Sequence, residues 1–155
     1  MNIVQTSESN LPILRNLALA YEAEFSSITG KKPGADGLFA LDTVPDDIYD
    51  GFLLYAQDQP IGFAIVGHVD GRNDMAEFYV VPSMRRRGIG TYFACAIFNM
   101  YKGEWRIRQI EGADKAVRFW RKAIGTYIDE KYEEAIVSGK HWGKLMRQTF
   151  VKLSN

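Results

Sequence analysis

The stretch AEFYVVPSMRRRGIG, residues 76–90, decides how the rest of the chain is read. β-Branched and aromatic residues lead through Pro82 into Arg85, Arg86 and Arg87, and then into Gly88, Ile89 and Gly90. Residues 75–82 have strand character, and the apolar run predicts burial on both faces. Beyond the glycines, Ile89, Tyr92, Phe93, Ala96, Ile97 and Met100 recur at helical spacing, so a helix begins near Gly88 with that stripe toward the core. A helix start leaves its first N–H groups without partners and carries partial positive charge. Glycines let an anion reach that backbone, and arginines at the rim can add charge-assisted hydrogen bonds. Strand, glycines and helix start therefore form a cradle suited to a diphosphate. The bland alternative is a strand-to-helix turn carrying a solvated charge run.

Outward from this junction the chain alternates between two periodicities. MNIVQT reads as a first strand, and residues 11–25 read as an amphipathic helix with Leu14, Leu17, Ala18, Tyr21 and Phe25 on one face. Residues 26–51 are rich in turn formers and read as a long irregular segment with room for one short helix. FLLYAQ (52–57) and IGFAIVGHV (61–69) form a hairpin around Asp58–Pro60, and residues 70–74 are a second turn. Gly103 is the expected stop of the helix that starts near Gly88. WRIRQIE (105–111) is a strand. Ala113, Ala116, Val117, Trp120 and Ile124 make another helical stripe, and a hairpin turning at SGKHWG closes the chain. The expected fold class is mixed α/β, with a mostly antiparallel sheet flanked by helices, in one domain over 1–155.

Lys plus Arg number 19, and Asp plus Glu number 19, so no global field exists to hold a polyanion. Nucleic-acid binding through Arg85–Arg87 would rest on few phosphate contacts and is not expected. The single cysteine, Cys95, forbids an internal disulfide and fits a reducing, cytoplasmic setting. No apolar run reaches the length of a membrane span, and the N-terminus lacks the basic-then-apolar pattern of a signal peptide. Two histidines, His68 and His141, and one cysteine make no metal pattern. Nor do they suggest a nucleophilic dyad, so Cys95 reads as a buried inert thiol. The chain has no G-x-x-x-x-G-K-[ST], and Phe93 stands where G-x-G-x-x-G would need its third glycine.

The spacing V-x-P-x-x-R-x-x-G-x-G, from Val80 to Gly90, resembles the coenzyme A motif of the GNAT acetyltransferases. IGFAIV, AEFYVVPSMRRRGIG and KAVRFWRKAI also occur in the order that superfamily uses. The resemblance covers residues 52–125 and implies the GNAT fold, acetyl-CoA as cofactor and an N-acetyltransferase activity. It implies that the backbones of Arg86, Arg87, Gly88, Ile89, Gly90 and Thr91 bind the pyrophosphate, with Arg85 opening the motif. It implies that pantetheine pairs with the strand at Phe78, Tyr79, Val80 and Val81, with Phe119 packing on pantetheine or filling the core. The partner implied is a small-molecule or peptide amine; a homodimer is left open. The alternative is a GNAT-fold module that binds coenzyme A with little or no turnover.

Acetyl transfer to an amine needs a base, a donor to the developing oxyanion and a departing thiolate. Glu77, a carboxylate in an apolar strand, is the expected base, because desolvation raises its pKa. An ion pair with Arg106 or Arg108 on the following strand is the structural alternative. By the resemblance, the oxyanion donor is the N–H of Val80 or Val81. The family's acid, a tyrosine, falls at Trp120, and an asparagine that contacts the cofactor falls at Ala113; neither residue can do that work. The thiolate then leaves unassisted, or Tyr79 or Tyr127 serves, or the chain is a poor enzyme. The resemblance also implies an acceptor wall holding Tyr21, Glu22, Glu24, Phe25, Asp46, Asp47, Tyr49 and Tyr127, an acidic, aromatic collar suited to a cationic amine.

Overall fold

Two tight turns set the first half of the sheet. The computed structural model describes residues 1–129 and 131–153. Asp70 and Gly71 take positive φ, 54° and 73°, the geometry that matches strand twist in a two-residue hairpin. They join β3 (Gln59–Val69) to β4 (Arg72–Val80). Gln57, at φ 54°, turns β2 (Tyr49–Ala56) into β3. The expected turn at Asp58–Pro60 is thus shifted. Gln59 and Pro60 already belong to β3, and Pro60 sits where the ladder slips, a place that tolerates its missing N–H.

β1 (Asn2–Gln5) adds antiparallel to β2, while β5 (Gly103–Ile110) runs parallel to β4. β7 (Gly143–Lys152) pairs with β5, and β6 (Glu133–Gly139) takes the far edge. The order β1-β2-β3-β4-β5-β7-β6 is a mixed, mostly antiparallel seven-stranded sheet, as the sequence predicts.

α1 (Leu11–Thr29) packs on one face against Leu53, Phe63, Ile65 and Tyr79. It runs past the expected end at residue 25 and stops at Gly30, where φ is 73°. Residues 30–48 contain no helix. α2 (Ile89–Met100) and α3 (Asp114–Tyr127) cover the other face over Met75, Trp105, Ile107 and Phe150. α2 is rotated from the expected stripe: Ile89, Phe93, Ala94, Ile97 and Phe98 are buried, while Tyr92 and Met100 are exposed. Nearly every position of this helix is apolar, so periodicity alone cannot choose its inner face; Phe98, packed on Trp105, Tyr127 and Phe150, does. The helix ends at Met100, and Gly103 instead opens β5. No helix among the described residues is long and apolar enough to cross a membrane.

β4 is not buried throughout. Met75, Tyr79 and Val80 are buried, but Ala76, Glu77 and Phe78 are only partly so, because β5 diverges beside them. That divergence positions the site.

Candidate active site

β4 and β5 pair only over Asn73–Met75 and Trp105–Ile107. At the point of release β4 carries a bulge: Met75 faces Val66 and Glu77 faces Ile65, leaving Ala76 as the extra residue. Beyond it the edge of β4 toward β5 is open. The Val81 N–H donates to the Ile61 carbonyl at 2.8 Å. Donors alternate along an antiparallel strand, so the N–H groups of Val80 and Phe78 point into the gap. Of the two expected oxyanion donors, Val80 therefore has its N–H turned to the gap.

At the end of β4 a 3₁₀ turn, Pro82–Met84, leads into the arginines. Arg86 and Gly88 take φ 63° and 75°. Left-handed residues in such a loop gather successive N–H groups into a concave nest, and the unpaired N–H groups at the start of α2 follow directly. Arg86 and Arg87 are exposed beside it. Arg85 behaves differently: its Nε donates to the Val80 carbonyl at 2.7 Å, and its Nη atoms reach Glu24 of α1 at 2.6 and 3.0 Å. Its guanidinium also lies over the Tyr79 ring. Arg85 thus ties the loop to the end of β4 and to α1.

The α2/α3 wall of the gap is aromatic. Phe78 stacks on Phe119 at 5.5 Å between centroids and meets Phe93 and Trp120 edge-on or tilted. Phe119 also packs against Gly90, where an added Cβ would lie 2.9 Å from its ring.

Glu77 projects on the other face, toward α1. Thr43, from the irregular segment, donates to its Oε1 at 3.1 Å, and the Tyr21 hydroxyl bonds it from α1. Burial raises its pKa from 4.5 to about 7; the bonds from Tyr21 and Thr43 oppose that rise, and the charges of Glu22 and Asp42 add to it. Burial, then the nearby Glu77 charge, likewise pushes the Tyr21 hydroxyl well up. Arg106 and Arg108 do not pair with Glu77; both bind Asp74 Oδ2, at 3.0 and 2.6 Å. Lys31 is held by Glu22 and Asp42, at 3.0 and 2.6 Å. Nothing in the local sequence of Thr43 or Lys31 distinguishes them from solvated loop residues, so sequence reasoning misses both.

No protein-family model matches the chain, and no curated protein matches it in sequence. Solved structures do match in three dimensions. One is AAC(6')-Ib in complex with parmomycin and acetyl-CoA, TM-score 0.70 at 13% identity, covering 97% of this chain and 92% of that one. The ribosomal-protein-S18-alanine N-acetyltransferase of Escherichia coli gives 0.61 at 13%, covering 99% and 96%. A GNAT family acetyltransferase from Elizabethkingia anophelis with acetyl-CoA bound gives 0.57 at 9%, covering 97% of each chain. This chain has the GNAT fold.

Within that GNAT fold, Trp120 is buried against Phe78, Phe98 and Phe119. Ala113 precedes α3 as its buried cap. Tyr79 packs between Tyr21 and Phe63, and burial followed by the Glu24 charge raises its hydroxyl pKa. Tyr127 lies on the α2/α3 face, donating to Asn99 at 2.9 Å, apart from the collar. Phe25 stacks on Tyr21, Tyr49 lies over Gly67, Asp46 accepts from the Ile48 and Tyr49 N–H groups, and Asp47 is exposed. Cys95 is partly buried, which pushes its thiol up. His68 belongs to a polar cluster with Asp50, Asn73 and Tyr101, which the sequence did not reveal.

Proposed function

We propose that the chain is an N-acetyltransferase that moves the acetyl group of acetyl-CoA to an amine by direct attack, within a single domain. One observation carries this reading. The gap between β4 and β5 has an anion-suited nest at one end and, beside its open backbone edge, a half-buried carboxylate with no cation partner among the described residues.

The donor set fits the cofactor. The backbone N–H groups of Arg86 to Thr91 would hold the diphosphate, with the Arg86 and Arg87 side chains at its rim. The open edge at Phe78 and the Val80 N–H would hold the pantetheine arm, with Phe78 and Phe119 as its apolar wall; the Val81 N–H is bonded to β3 and the Val80 carbonyl to Arg85. Arg85 acts as a strut between the loop and α1. Bound acetyl-CoA supplies a thioester whose carbonyl carbon bonds to the amine nitrogen as its C–S bond breaks.

The amine must arrive without its proton. Glu77, with a pKa of about 7, is part ionised at neutral pH and can accept that proton directly or through water. The Val80 N–H is fixed in the backbone and turned to the gap, where it would donate to the thioester oxygen as negative charge develops on it. A free thiol near pKa ~8.5 leaves adequately as thiolate, so no protein acid is required. Tyr79 contributes its ring, as support for Tyr21 and Arg85.

The test is calorimetric titration of acetyl-CoA into the full chain, followed by thiol release with a panel of amines. Wild type and Glu77→Gln should bind acetyl-CoA alike, and the variant should release thiol about 100-fold more slowly. Absence of binding heat, or equal turnover by the variant, would overturn the reading.

A further inference from the structure

The face of the sheet toward α1 is covered unevenly. α1 packs on β2, β3 and β4, and its end reaches over the gap, where Ile28 approaches Gly112 and Lys31 lies 5.8 Å from the centre of the Trp142 ring. On β5 and β7 the α1-facing side chains include Arg106, Arg108, Arg147 and Thr149, with Ile110 and Leu145 at one end, because Trp105, Ile107, Gln148 and Phe150 turn inward to the other face. Arg108 stands directly opposite Arg147 in the β5–β7 register. Opposed residues on antiparallel strands have Cβ atoms about 5 Å apart, and like charges placed so are destabilising unless something anionic sits between them.

The carboxylates among the described residues neutralise this pair only in part. Asp74, 3% exposed, binds Arg106 and Arg108 through Oδ2 alone, and its Oδ1 has no hydrogen-bond partner among the described residues. Arg108 donates to it only through Nη2, so most of its five N–H groups stay free, and its side chain is 41% exposed. Arg147 makes no ion pair among the described residues; Glu133, diagonal to it on β6, is exposed and does not reach it. Two acids of the expected collar carry cation partners: Glu22, with Asp42 beside it, holds Lys31, and Glu24 holds Arg85.

The register fixes where this pair stands relative to Glu77. Met75 is level with Ile107. Ala76 is the bulged extra residue, so Glu77 comes level with Arg108 on the same face, across the opening gap. One lip carries a proton acceptor and the other two guanidiniums, whose planar forks suit a carboxylate.

We propose that Arg108 and Arg147 form a carboxylate subsite facing Glu77, so that the acceptor is an amine that also bears a carboxylate, as an amino acid does. The assignment of the amine end rests on the transferase reading; the subsite does not.

The test uses the full chain labelled with ¹⁵N-arginine. Its Nε–Hε signals are followed during titration with N-acetylglycine, N-acetylglycinamide and inorganic phosphate. N-acetylglycine should move the Arg108 and Arg147 signals saturably, and the amide should bind at least about tenfold more weakly. Arg147→Met, which uncovers no buried partner, should weaken N-acetylglycine by about tenfold, and Arg147→Gln should repeat this. Equal response to acid and amide would overturn the subsite. So would tighter binding of phosphate, or unchanged affinity in both variants. Carboxylate binding at the two arginines by a chain that acetylates no amine would sustain the subsite and sink the transferase reading.

Discussion

Replacing Glu77 with glutamine should change how the stability of the fold depends on pH, before any substrate is added. In the native state the carboxyl keeps its proton up to about pH 7, whereas in the unfolded chain it loses it near 4.5. Across that window the native state binds more protons than the unfolded state, so this group's contribution to stability falls as pH rises. A raised acid pKa therefore favours the fold below 4.5 and opposes it above 7. The full interval corresponds to about 3 kcal/mol, and screening of a partly exposed group brings that nearer about 2 kcal/mol. The glutamine side chain has no such proton, and every other titrating group is common to both proteins and cancels in the comparison. With a urea slope of about 2 kcal/mol per M, the midpoint of the wild type relative to Glu77→Gln should drop by about 1 M between pH 4.5 and pH 8. At pH 8 the variant should be the more stable protein. Midpoints that run parallel across this range would refute the claim that Glu77 is desolvated and without a cation, and with it the reason for regarding it as a base.

Loss of the Thr43 donor should act on the same group: Thr43→Val removes a bond that favours the carboxylate, so the acidic limb of kcat/KM, expected near pH 7, should move to higher pH while the rate at pH 9 stays unchanged. Gly88→Asp places a charge and a side chain where φ is 75° and the nest is open; acetyl-CoA affinity by calorimetry should fall by about 100-fold, with circular dichroism unchanged. Deleting Ala76 should let β4 and β5 zip past Met75 and close the gap. The product should stay folded by circular dichroism but lose acetyl-CoA binding, and retained binding would show that the bulge does not make the gap. Phe98→Ala removes a fully buried ring packed on Trp105, Tyr127 and Phe150 and should cost about 4 kcal/mol in urea unfolding.

The fold was largely legible because its signals are local. The Asp70–Gly71 turn, a glycine-bounded helix start and the strands are each written in a few adjacent residues, and their order is the topology; the turn at Gln57 was expected at Asp58–Pro60, because glutamine does not signal a positive φ. The strand-to-helix turn was legible for the same reason, with the left-handed Gly88 just before α2. What the sequence left open depends on pairings between distant residues. Glu77 could have met Arg106 or Arg108, since all three project from neighbouring strands; it does not, because Asp74 lies before the bulge, where the strands still touch, and takes both. Arg85 reads as one of three like arginines, and only the approach of α1 turns it to Glu24. The inner face of α2 was ambiguous because helical periodicity needs polar residues for contrast, and this helix has few.

One residue, Ala76, links these outcomes. In a regular strand Met75 and Glu77 would share a face, and Glu77 would project into the aromatic core beside Phe93 and Trp120. The bulge reverses the phase: Met75 stays with the α2/α3 core, Glu77 joins Asp74 on the α1 face, and Phe78 and Val80 line the aromatic wall. The same extra residue bends β4 away from β5 and ends their ladder. The opening of a gap and the delivery of an unpaired carboxylate to its lip are therefore one backbone event. Because the bulge lies after Asp74, the two strand arginines are already held by Asp74 where the β4–β5 ladder ends. A neutral chain with no excess of either charge thus brings a carboxylate to the lip of an opened sheet by the position of a single alanine.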